Sequence, residues 1–375
     1  VILRRLAAGA LAWAAVAAGG ASSAPAIAAG PPSTTPALSA AAGARTIRVT
    51  SNDDSGEGSL RAAIEQANAA TRPSFPGESL QRRAARGAII EVVFAADRVL
   101  LVARALPDLE GPGIVLDGGG ATIRQAKDCV RERGRMGCDG IVVAGPGITV
   151  RNLRIAGFVF DGVAVRGRDA RDVRIQDVHA IDNLDDGIGV SAGAGPVLIE
   201  HCLLMGNGYR TKGKGVLVFD DATATIRDSV AVANRDGVSV TRRSRAELED
   251  VWIVGSFDKG LGVSGGAVRG RGNRLIANGD GVGFEQKPPN ADGLRVGLAG
   301  TAELSSTRIE GNGDSGVVAL DSSSVVLRDA TIGANRGRGI VCGSDAEVSV
   351  DGASVRAGAR KIRAAAGVKP AARGR

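Results

Sequence analysis

Residues Val173–Val190 read VRIQDVHAIDNLDDGIGV. Val173 and Ile175, then Ile188 and Val190, place apolar side chains at every second position, and a polar centre ending in Asp-Asp-Gly separates the two pairs. Each pair has the period of a strand with one buried face. A unit this small cannot bury its apolar face alone, and the pattern returns. A glycine followed by an aliphatic residue opens the second strand at Gly162, Gly187, Gly215, Gly237, Gly260, Gly281, Gly316 and Gly339, in steps of 25, 28, 22, 23, 21, 35 and 23 residues. Periods in the twenties are the mark of a stacked array.

A second set of positions keeps step with the first. Four residues after the first apolar residue of each unit comes a short polar residue or histidine: Asn152, Asp177, His201, Asp228, Asp250, Ser306 and Asp329. Asparagine also recurs just before the second strand, at Asn183, Asn207, Asn234, Asn278, Asn312 and Asn335. Asn and Asp bond their own backbone in turns and tolerate the left-handed region, so these residues read as corners. No unit contains a helical pattern of useful length, which excludes the helical solenoids. The expected fold is therefore all-β, a right-handed parallel β-helix whose rungs stack about 4.8 Å apart. With aromatics at only 3% of the chain, its core is stacked aliphatics.

The ends differ from the body. Residues 1–28 have two arginines, an apolar run from Leu6 to Ala18 and small residues in an A-x-A arrangement, the form of an export signal peptide. Residues 29–45 read as a Pro/Ala/Ser linker and 356–375 as a basic tail without a single acid. The net charge of +7 comes from these ends, since residues 45–355 carry 38 basic and 40 acidic side chains. A nucleic-acid partner is thus not expected, nor is a membrane span once the signal is removed. The expected location is secreted, periplasmic or at a bacterial cell surface. Export also favours a loop-closing disulfide between Cys129 and Cys138, whereas Cys202 and Cys342 fall on inward positions several rungs apart and read as buried free thiols.

The β-helix domain is expected over residues 46–355. Near its start, Leu60, Ile64 and Ala67 have helical spacing behind Ser59 as N-cap, giving an amphipathic helix over about 59–70 that covers the open end of the solenoid. Residues 71–87 read as loop. The run VTSNDDSGEGSLRAAIEQANA (Val49–Ala69), with AIIEVVFA (Ala88–Ala95) and LPDLEGPGIVLDGGGATI (Leu106–Ile123), resembles the N-terminal part of exported bacterial right-handed parallel β-helix repeat proteins of the pectate-lyase-like superfamily. The resemblance spans roughly residues 46–355. It implies the fold but no single reaction, because the superfamily mixes lyases, epimerases, hydrolases, adhesins and members without known activity.

On a solenoid, function sits on excursions and on an exposed sheet face. The long loop NGYRTKGKG (Asn207–Gly215) supplies Tyr209, Arg210, Lys212 and Lys214, and the preceding rung supplies Asp182, Asp185 and Asp186. Proton abstraction next to a carboxylate needs a cation to neutralise that group and a base of tuned pKa. Arg210 fits the first role and Lys212 the second, with Tyr209 and Lys214 as substrate contacts and the three aspartates as oxygen ligands for Ca²⁺. The competing reading makes Asp185 and Asp186 turn residues and the lysines a solvated loop. His201 and His179 read as corner and turn residues. Two functions stand: a secreted or surface rod that contacts a glycan or another envelope component, and a polysaccharide lyase or uronate epimerase acting on an acidic polysaccharide.

Overall fold

A computed structural model describes residues 45–93, 99–130, 138–208, 212–279 and 290–355, together with the backbone of 368–370. The strands pair in parallel throughout and form two sheets, one of nine short strands and a larger one that carries the other two limbs of each rung. The nine-stranded sheet is called the front sheet below. Its strands include Val163–Arg166, Ile188–Ser191, Lys214–Val218, Asp236–Thr241, Leu261–Ser264 and Leu294–Gly297.

Register explains why the core is built chiefly from aliphatic side chains, with Phe158 and Phe257 also buried. In the front sheet Val163, Ile188, Val216, Val238, Leu261 and Leu294 are successive register partners, and all are almost fully buried. The back limb repeats the arrangement with Ile175, Ile199, Ile226 and Leu248. Each of these side chains contributes roughly 1.5–3 kcal/mol by leaving water, and like shapes stack on like.

The corners follow from the short polar residues. Asn152, Asp177, His201, Asp228, Asp250, Ser306 and Asp329 all have φ between 47° and 54°. That left-handed backbone costs most residues 1–2 kcal/mol or so and favours Asn and Asp.

One rung departs from the sequence reading. The strand Ala267–Arg271 lies between Arg245–Glu249 and Thr301–Ser305, but Gly270 occupies the place that Leu248 and Leu304 hold on either side. Without an aliphatic residue there the alternation vanishes, so the sequence pattern passes over this rung. The glycine column is also corrected at one position. Gly293, not Gly281, aligns between Gly260 and Gly316, because Gly260 donates to the Asp292 carbonyl and Gly293 to that of Ser315. Gly281 lies outside the described residues.

At the N-terminal end, α1 (Leu60–Ala70) starts at Ser59, whose hydroxyl accepts from the Ala62 N–H at 3.2 Å. Leu60, Ala63, Ile64 and Ala67 are buried against the strands Arg45–Val49 and Ala88–Val92. The segment expected as loop contains a second, shorter helix, α2 (Leu80–Ala85), capped by Ser79 and with no buried residue. Its lack of an apolar face left no periodic signal. Cys129 and Cys138 are joined by a disulfide with Cα atoms 6.3 Å apart, and Cys202 and Cys342 are free and buried. The backbone of Val368–Pro370 pairs with Val348–Val350, so a strand lies inside the segment read as basic tail. Residues 1–44 are outside the described part. Among the described residues no helix is long and apolar enough to cross a membrane.

Candidate functional site: a charged file on the front sheet

Two columns fix the edge of the front sheet. The side chains of Asn183, Asn207 and Asn234 are linked amide to amide, Asn183 donating to Asn207 at 3.0 Å and Asn207 to Asn234 at 2.9 Å. Asn278, Asn312 and Asn335 form a second such run at 3.1 and 2.8 Å. Opposite them stand the glycines. A Cβ on Gly187 would come 2.8 Å from the Asn207 amide nitrogen, and one on Gly260 would come 2.7 Å from that of Asn278. Glycine is required because the asparagine file fills the space that a side chain would need.

The residue ahead of each glycine is therefore also held in a column. From rung to rung it is Asp139, Asp161, Asp186, Lys214, Asp236, Lys259, Asp292, Ser315 and Arg338. Most of the aspartates grip the next rung through its backbone. Asp139 accepts from the Asp161 N–H (3.2 Å), Asp161 from that of Asp186 (3.1 Å), Asp186 from that of Lys214 (2.7 Å) and Asp292 from that of Ser315 (3.2 Å). Asp236 differs. One of its oxygens, Oδ2, holds the Lys259 ammonium at 2.9 Å and takes a long bond from the Ser239 hydroxyl at 3.4 Å, while Oδ1 is buried without a partner.

The outward floor beside this file is mostly small: Ala164, Gly189, Ser239 and Gly262, with Leu217 and Arg295 among them. Two of the glycines make room for charged groups. Asp161 Oδ2 lies 2.5 Å from where a Gly189 Cβ would be, and Lys259 Cε lies 2.6 Å from the corresponding point on Gly262.

Asp161, Asp185 and Asp186 each bring a carboxylate oxygen within 4.8 Å of the others. Burial pushes the Asp186 carboxyl up to about 7, against the pull of the Lys214 charge. Burial and then the charges of Asp186, Asp139 and Asp185 hold Asp161 well above the ordinary carboxylate range. Asp139 is raised by burial despite Arg166 at 2.6 Å. Lys259 is the reverse case: burial works against its charge, but Asp236 and Asp258 outweigh burial and raise its pKa.

The sequence-selected residues fall into three groups. Asp185, Asp186 and Lys214 come together, joined by the bond from the Lys214 N–H to Asp186. Lys212 is exposed beside them, and its carbonyl accepts from the Lys214 ammonium. Tyr209 and Arg210 lie outside the described residues. Asp182 is set apart, since it occupies a left-handed corner (φ 53°) against Gly206, and its place in the carboxylate group is taken by Asp161. Asp139, Asp236, Lys259 and Asp292 were not singled out from sequence. Aligning the residue ahead of every repeat glycine would have found them. His179 lies on the larger sheet, and His201 sits at its corner with Nδ1 4.0 Å from Asp177.

A parallel solenoid of stacked three-limbed rungs, with a file of charged side chains along one sheet, defines a parallel β-helix protein. The sequence profile described as "Right handed beta helix region" matches residues 108–251 and 214–367, and the chain belongs to that family. Among solved structures, the Azotobacter vinelandii mannuronan C-5 epimerase AlgE4 A-module matches with a TM-score of 0.56 and 16% identity, over 87% of this chain and 100% of that one. The AlgE6 A-module from the same organism matches with a TM-score of 0.56 and 16% identity, over 82% and 85%. The periplasmic alginate epimerase AlgG matches with a TM-score of 0.51 and 16% identity, over 72% and 71%. At such identity the likeness is one of fold. Comparison with curated protein sequences gives no significant match.

Proposed function

We propose that the chain is an exported carbohydrate-active β-helix protein that binds an acidic polysaccharide of the cell envelope or its surroundings along the front sheet. The observation that carries this reading is the file itself, which presents one polar station per rung, roughly every 4.8 Å, beside a floor of small residues. A polymer with a regular repeat suits such a surface better than a compact ligand does. Stacking alone does not require these charges, since burying them is costly and the neighbouring columns are built from asparagine and glycine.

In this reading Lys212 and Lys214 meet the carboxylates of the polymer, with Tyr209 and Arg210 on the same excursion. Asp161, Asp185 and Asp186 would hold a calcium ion, and the donor set fits: three carboxylates in reach of one point, hard oxygen ligands, and Asp161 Oδ2 without a hydrogen bond from the described residues. Calcium bound there would add positive charge where an acidic polymer would otherwise be repelled. The tilt of Asp186 toward neutrality beside Lys214 supports a second reading, in which the same face removes a proton next to the uronate carboxylate as a lyase or C-5 epimerase does. In that version Lys212 serves as base and Arg210 as the neutralising cation.

The test is binding of galacturonate, mannuronate and guluronate oligomers measured by calorimetry with calcium and with chelator. The expected result is calcium-dependent binding of at least one oligomer that is weakened tenfold or more by Lys214→Met. Absence of binding to every acidic oligomer would overturn the proposal. Ultraviolet absorbance of an unsaturated product, and product NMR for epimerisation, then separate catalysis from binding.

A further inference from the structure

Lys214 and Lys259 occupy the same position of the file, each flanked by aspartate on the rungs before and after, yet they are placed differently. Lys259 lies down along the sheet. Its Cε rests against Gly262, three residues on, and its ammonium reaches Asp236 at 2.9 Å and Asp258 at 3.5 Å. Lys214 stands up, with its ammonium on the carbonyl of exposed Lys212. The residue three positions after Lys214 is Leu217, which stands in the same outward column as Gly189 on one side and Ser239 on the other. Where Lys259 has a glycine three residues on, Lys214 has a leucine.

Keeping Lys214 raised has a cost. Its register partner on the next rung is Asp236, whose Oδ1 is buried and unpartnered. A lysine lowered along the sheet, as Lys259 is, would bring a further donor toward that carboxylate, and a buried unpaired carboxylate oxygen destabilises by an amount that folding does not normally leave in place.

We propose that Leu217 is a wedge that holds the Lys214 ammonium off the sheet as a solvent-facing cation for an anionic group of the polysaccharide, while Gly262 lets Lys259 serve as an internal counter-charge. Leu217 is thus a positioning residue acting through Lys214. The identity of the anionic ligand rests on the function proposed above, but the wedge does not.

Reductive methylation of the folded protein, read lysine by lysine by mass spectrometry, tests it. In the native chain Lys214 should react at nearly the rate of Lys212 and at least tenfold faster than Lys259. Leu217→Gly should slow Lys214 several-fold and leave Lys212 unchanged, and Leu217→Ser, which copies the residue at Ser239, should act in the same direction if the glycine variant does not fold. An equally slow Lys214 in the native chain, or an unchanged Lys214 in a folded Leu217 variant, would overturn the wedge. A galacturonate hexamer should protect Lys214 in the native protein and much less in the variant. If the reactivity pattern holds and no hexuronate of any type protects Lys214, the wedge stands and the acidic-polysaccharide reading falls.

Discussion

Ser256 donates its backbone N–H to Asn278 Oδ1 at 3.0 Å, the link that Asn183, Asn207, Asn278 and Asn312 make to the next asparagine, but its hydroxyl is buried and has no partner among the described residues. It is the rung at which the asparagine run breaks, between Asn234 and Asn278. Ile309 and Asn312 coexist beneath Gly293, as do Ile332 and Asn335 beneath Gly316, so Ile253 beneath Gly237 leaves the same kind of space for an amide. Ser256→Asn should join the two runs and stabilise the fold by about 0.5–1.5 kcal/mol, the net value of a satisfied hydrogen bond. Urea unfolding measures it, and a loss of stability would mean that the rung at Ser256 is set differently from its neighbours.

The glycine column makes the opposite prediction. A methyl group on Gly187 would meet the Gly215 carbonyl at 2.7 Å and the Asn207 amide at 2.8 Å, and neither can retreat without breaking a rung contact. Gly187→Ala should cost about 1–3 kcal/mol, seen as a lower midpoint in thermal unfolding. A neutral result would refute the claim that asparagine excludes a side chain there.

How far the sequence discloses this molecule depends on the range of each cause. Corner residues such as Asp177 and Asp228 act on their own backbone, so their chemistry is visible residue by residue. The core columns repeat, so alternation discloses them until Gly270 removes the aliphatic signal from one rung. Gly281 imitates the repeat within an excursion, and only the hydrogen bonds of Gly260 and Gly293 place the true column. The functional face is less legible because its neighbours are distant in sequence. Asp182 is close to Asp185 along the chain but separated from it by a corner, whereas Asp161 is a full rung away and lies beside it. Lys259 belongs to no charged excursion, and its role depends on Asp236 in the rung before and Gly262 beneath it.

Removing one member of that pair should be worse than removing both charges. Asp236 is 5% exposed and depends on Lys259 for compensation, so Lys259→Met leaves a carboxylate in a poorly hydrated place. The expected loss is about 3 kcal/mol, within the range for a broken buried pair. Adding Asp236→Asn to Lys259→Met should recover at least half of it, because the amide carries no charge to strand. Chemical denaturation of the two single variants and the double variant completes the cycle. Strict additivity of the single effects would show that the two residues do not act on each other.

The raised carboxyl of Asp186 gives stability a pH dependence with a definite sign. An unfolded aspartate titrates near pH 3.9 or so, whereas Asp186 in the fold titrates at about 7, raised by burial in spite of Lys214. Between these values the folded chain retains a proton that the unfolded chain has released. Its contribution is fully present below the unfolded pKa and is lost as pH rises toward the folded one. With chelator present, the melting temperature attributable to this group should therefore fall as pH is raised from about 4 to about 7. Asp161 pushes in the same direction, since burial and its acidic neighbours raise it too. Asp186→Asn should flatten the slope and raise stability at neutral pH, and calcium should stabilise the native protein most at the high end of the range, where the carboxylates are ionised. Calorimetric melting across that range checks all three statements. A native slope of the opposite sign, or one unchanged in Asp186→Asn, would show that the proton is not held at this file.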